Sequence, residues 1–238
     1  MLSGDAGRWS PADADRFAGS LRRVRRGCND RAVDDWVAVA IGLLAGHPAV
    51  KSVEFAGSRS RGTHEELSDW DFAVETSDFD ALARDLPALV APLDPVGQQW
   101  EPMGHFPVYQ VLLRGPTKIE YLFLGRSQDP LPPLQPSPDT LPAINTHFWD
   151  WIWWLATKAA VGRSDLVAEH MPQLYTQLLR PMGISAVPAT IESAVEVFVA
   201  RRNALEEEFG ISVDRALETE VRLGIDRVLG ERARPSHG

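Results

Sequence analysis

The sequence predicts an α+β fold, a mixed β-sheet flanked by helices and followed by a C-terminal α-helical bundle domain. Three observations carry that reading. Between residues 50 and 124 the apolar residues fall into short, strand-like runs. From residue 144 onward they recur at helical spacing. Between the two lies DPLPPLQPSPDTLP, with six prolines in fourteen residues and no regular pattern, which predicts a stiff linker. The expected layout is residues 1–128 as one domain with N-terminal helices, 129–142 as linker and 143–238 as the helical domain.

The elements follow in order. Ser10-Pro11 predicts the start of a helix running to about Arg26, whose Arg22, Arg23, Arg25 and Arg26 are read as a solvated basic end, with a phosphate-binding patch as the alternative. Asn29-Asp30 caps a second helix, in which Val33, Trp36, Val37, Ala40, Ile41 and Leu44 share a face. Gly46-His47-Pro48 stops it. Strands are expected at 50–56, 69–75, 96–100, 108–114 and 118–124, with a helix over 79–90 capped by Ser77 or Asp78. Gly115-Pro116 reads as a hairpin turn. Helices are expected at 144–161, 165–179, 191–209 and 213–229. The tryptophans Trp149, Trp151, Trp153 and Trp154 are read as core packing, with stacking on a base or sugar as the alternative.

Composition narrows the function classes. The 238-residue chain carries a net charge of −9, and acids outnumber bases on both sides of residue 139, the reverse of a nucleic-acid binder. Such a charge favours cationic small-molecule partners. The N-terminus lacks the layout of a secretory signal. The longest apolar stretches, WVAVAIGLLAG and FWDWIWWLA, are too short to span a bilayer. A single cysteine leaves no internal disulfide. No nucleic-acid or membrane partner is expected, and the expected location is cytoplasmic.

The stretch that carries chemistry is FAGSRSRGTHEELSDWDFAV, residues 55–74. A strand runs into Gly57-Ser58, where glycine lets backbone approach a phosphate and serine adds a hydroxyl. Arg59 and Arg61 stand close by to neutralise charge. Asp69 and Asp71, two apart on a strand, are expected on one face, about 7 Å from each other. Such a pair calls for a cation, and magnesium bridging carboxylates and triphosphate oxygens satisfies it. Glu120, on the last strand of the same sheet, is the third acid, either a ligand between two metal ions or the acceptor of a hydroxyl proton.

Gly57-Ser58, then an Asp-X-Asp pair and then an acid on a later strand, resembles the DNA polymerase beta-like nucleotidyltransferase superfamily. GSRSRG followed by SDWD is similar to its aminoglycoside and lincosamide nucleotidyltransferases, over about residues 50–125 and more loosely over 144–165. The resemblance implies a nucleotidyltransferase-type sheet and an ATP-binding transferase that moves AMP from ATP, or another monophosphate from its triphosphate, to a small-molecule hydroxyl. Pyrophosphate is released, and an antibiotic-like acceptor is implied. It implies Gly57, Ser58, Arg61 and Lys158 as nucleotide contacts, and Asp69, Asp71 and Glu120 as catalytic ligands of two Mg2+ ions. Glu120 departs from the aspartate of the pattern. A protein-modifying enzyme of toxin-antitoxin type and an inactive nucleotide-binding module are the alternatives.

Overall fold

The computed structural model describes residues 30–65 and 67–230. The expected first helix and its arginine cluster lie outside that range. The described residues form a mixed α+β structure of five strands and seven helices. The elements are α1 (Asp30–Ala45), β1 (Val50–Phe55), α2 (Gly57–Ser60), β2 (Trp70–Thr76), α3 (Phe79–Val90), β3 (Gly97–Trp100), β4 (Val108–Leu113), β5 (Thr117–Leu122), α4 (Leu141–Ala160), α5 (Ser164–Leu174), α6 (Ile191–Phe209) and α7 (Ala216–Gly230). The strands form one sheet in the order β1-β2-β5-β4-β3. β1 and β2 are antiparallel, β2 and β5 parallel, β3 and β4 antiparallel.

The chain divides into two compact units, and the boundary is not a single cut. The first comprises residues 30–95, 106–108 and 119–127, the second 96–105, 109–118 and 128–230. In the first, α1 buries Val37, Ala40 and Leu44, three of the positions its periodicity marks. The Tyr121 hydroxyl on β5 donates to the Ala40 carbonyl at 3.1 Å, and Phe72 stacks on Tyr121. Helix α3 starts where Asp78 accepts from the Ala81 backbone N–H at 3.0 Å, the N-cap geometry that satisfies a first-turn amide. It buries Leu82, Leu86 and Val90.

The second unit is built around α4. Trp149 and Ile152 are fully buried, and Phe148 stacks on Phe198 of α6 with ring centroids 3.6 Å apart. Trp151 and Trp153 are also buried, which places three of the four tryptophans in the core. Helix α4 begins at Leu141, with Pro142 in its first turn, where proline's missing N–H costs nothing. The expected single helix over 165–179 ends as an α-helix at Leu174 and continues as a π-helical turn from Tyr175 to Leu179. Thr190 and Ser193 form a reciprocal capping box at the start of α6. No helix among the described residues is long and apolar enough to cross a membrane.

Candidate functional site

The Gly-Ser corner and the Asp71 backbone are tied together by the sheet. Ala56, the residue after β1, donates its N–H to the Asp71 carbonyl at 2.8 Å. The chain then turns sharply at Gly57, whose φ of +60° is open to glycine at no steric cost. The turn lays the bare glycine backbone against the Asp71 carboxylate: a Cβ at residue 57 would stand 1.7 Å from Asp71 Oδ2. Gly57 itself opens a helix of four residues, in which Ser58 is half-buried.

On the other flank of β2, Asp71 pairs in register with Glu120 on the parallel strand β5. Residues paired in this way project from the same face of a sheet. The register therefore sets two carboxylates side by side on one face. Phe72 and Tyr121 are buried on the opposite face, which holds the two strands in this phase because a one-residue slip would expose both rings.

Asp69 stands one residue before β2 rather than on it. The alternation argument for a shared face therefore applies to Asp71 and Glu120, while Asp69 is placed by a different contact. Arg59 donates from Nε to the Asp69 carbonyl at 3.1 Å and from a terminal nitrogen to the Ser68 carbonyl at 2.7 Å. Its guanidinium lies 3.7 Å from the centroid of the Trp70 ring. Burial lowers the pKa of this guanidinium, and the charges of Asp69 and Asp71 act in the opposite direction. Arg59, rather than Arg61, is thus the arginine engaged with the aspartate segment. Arg61 is exposed, one residue beyond α2. Lys158 belongs to the second unit, in the last turn of α4, with its ammonium 5.4 Å from the Trp154 ring centroid.

A hollow of about 390 Å³ opens on the first unit, lined by Glu54, Ala73, Glu75, Leu124 and Arg126 among others. It begins two residues along β2 from Asp71. A second group was not anticipated from sequence. Among the described residues, the one set of three acidic or imidazole side chains with ligand atoms all within 4.8 Å of one another is Glu101, His147 and Asp150. His147 and Asp150 stand three apart on α4, but Glu101 lies more than forty residues earlier in the chain, so spacing alone does not join the three.

The chain is similar to solved structures. The crystal structure of an aminoglycoside 6-adenyltransferase from Bacillus subtilis aligns over 82% of this chain and 97% of that one, at 10% identity and a TM-score of 0.31. No family model and no curated protein matches. A likeness this slight assigns neither fold nor activity, so the functional reading rests on the residues themselves.

Proposed function

We propose that the chain is a magnesium-dependent nucleotidyltransferase, which moves a nucleoside monophosphate (AMP when the donor is ATP) onto a hydroxyl of a small molecule. One juxtaposition supports this most: Asp71 stands in register with Glu120, with the side-chain-free backbone of Gly57 against its carboxylate. The donor set fits magnesium, because neighbouring carboxylates offer a hard cation oxygen ligands. The corner at Gly57 also leaves bare backbone where a side chain would block approach. Asp69 and Asp71 would hold the ion, which when bound neutralises charge on a triphosphate.

The chain's own residues have separate tasks. Gly57 and Ser58 receive the phosphates through backbone and hydroxyl, and Arg59 holds the Asp69 segment in place through its two carbonyl contacts. Glu120 takes the proton of the acceptor hydroxyl. The acceptor oxygen bonds to the α-phosphorus, the bond from that phosphorus to the bridging oxygen breaks, and pyrophosphate leaves with the electron pair. The hollow beside Ala73 carries Glu54 and Glu75 in its lining, which favours a cationic acceptor.

The test is pyrophosphate release from each of the common triphosphates with Mg2+ and a panel of hydroxyl acceptors, amino sugars foremost. Acceptor-dependent release that disappears in Asp71→Asn is the expected result. A folded protein that releases none with any acceptor overturns the proposal.

A further inference from the structure

The second unit holds a set of charged side chains that this reaction does not use. A ring nitrogen of His147, a carboxylate oxygen of Glu101 and one of Asp150 lie within 4.8 Å of one another. His147 and Asp150 are 5% and 4% exposed, and Glu101 is half-buried. Helix α4 sets His147 and Asp150 three residues apart, hence on one side. Glu101 enters from the residue after β3.

Each of the three is held from behind. The Gln99 side-chain amide lies 3.2 Å from His147 Nδ1. Gln110 donates to Glu101 Oε2 at 3.3 Å, and the Met103 N–H donates to Oε1 at 2.9 Å. The Lys118 ammonium sits 3.3 Å from Asp150 Oδ1 as an ion pair. The buried His147 Nε2 nevertheless has no hydrogen-bond partner, and Asp150 Oδ1 has none beyond its ion pair with Lys118. Buried polar atoms are satisfied in the great majority of cases, and an exception needs a reason.

We propose that Glu101, His147 and Asp150 bind a divalent transition-metal ion, zinc by preference. One imidazole nitrogen with two carboxylate oxygens is a donor set that zinc accepts and magnesium does not favour. Charge points the same way. Lys118 pairs with Asp150 while Glu101 is held by the neutral donors of Gln110 and Met103, so the two carboxylates face one ammonium and the group has a formal excess of negative charge. Coordination through Nε2 requires Nδ1–H to donate, and the Gln99 carboxamide accepts it by turning its oxygen to the ring, which gives up the 2.9 Å bond from Gln99 Nε2 to Gln110 Oε1. Lys118 is the competitor, since its ammonium already occupies Asp150.

The experiment is calorimetric titration of the full chain with Zn2+ in excess Mg2+, which fills oxygen-only sites. One equivalent of zinc is expected, bound at least about ten-fold more weakly by Glu101→Gln and His147→Gln. Lys118→Met is expected to bind more tightly, because Asp150 is released. With Co2+ as probe, the visible absorption of the bound ion should change in His147→Gln, a signature that general destabilisation would not give. Glu101 is only half-buried, so its variant keeps the test decisive if His147→Gln fails to fold. Absence of zinc binding in the wild-type chain overturns the proposal and leaves Lys118 as the only cation the group takes. Equal binding in wild type, Glu101→Gln and Lys118→Met overturns it as well.

Discussion

Replacing Gly57 with alanine puts a methyl group where Asp71 already is. The added Cβ would lie 1.7 Å from Asp71 Oδ2, 2.6 Å from Cγ and 3.0 Å from Cβ, where ordinary contact begins near 3.4 Å. The oxygen would have to retreat by about 1.7 Å to restore that contact. The backbone adds strain, because an L-residue at φ +60° costs about 1–2 kcal/mol. Gly62 separates the two effects: its φ is +66° and nothing lies within 4 Å of a Cβ built there. Gly62→Ala should incur the strain alone, lowering the melting temperature by about 2–8 °C at roughly 2–4 °C per kcal/mol for a chain of this size. Gly57→Ala should add about 1–3 kcal/mol of overpacking and cut turnover about 100-fold, the usual cost of displacing a reacting group by an ångström. Thermal melts and pyrophosphate release on both variants supply the readouts. A folded Gly57→Ala with wild-type turnover would refute the reasoning, as would equal activity losses in the two variants.

Glu120→Gln separates base from ligand: as the base, its loss should lower kcat by about 10²- to 10⁴-fold while Mg2+-dependent triphosphate binding, read by calorimetry, persists. Loss of that binding would make Glu120 a ligand instead. In the second unit, a Cβ at Gly224 of α7 would stand 2.7 Å from Pro116 Cγ and 2.8 Å from Trp153 Cζ3. Gly224→Ala should therefore destabilise by about 1–3 kcal/mol, less about 1 kcal/mol of regained helix propensity, in a denaturant melt. Glu206 is buried and accepts from the Val213 N–H and from Arg215. Burial raises its pKa, but those hydrogen bonds and the charges of Arg215 and Arg202 outweigh it and hold the carboxyl below the ordinary 4.5. Its stabilisation is full above that value and is lost as pH falls through the lower folded-state pKa. Glu206→Gln should flatten the acid limb of a stability profile followed from neutral to about pH 3.

Much of the element order was legible because local chemistry decides it. The bounds of α3 and α6 come out as read, α3 from the Asp78 cap and the periodicity of Leu82, Leu86 and Val90, α6 from a helical run closed by Gly210 at φ +67°. Where a local rule points two ways the reading drifted. Pro142 suggested the end of a linker yet sits in the first turn of α4. The run from Asp165 is helical in pattern throughout, but i→i+5 bonding from Tyr175 to Leu179 leaves no mark on spacing.

Residue types and their order pointed on their own to a glycine-serine corner after one strand, an Asp-X-Asp segment leading into a second and a glutamate on a later strand of the same sheet. These are properties of neighbours in the chain. Which carboxylate faces which was decided by strand register: Asp71 opposite Glu120, Asp69 left outside the strand, Arg59 turned back onto the carbonyls of residues 68 and 69. Register depends on buried rings from distant segments locking into phase, and that information is spread over the whole chain. The same holds for Glu101, His147 and Asp150, which become neighbours only when α4 closes over the end of β3.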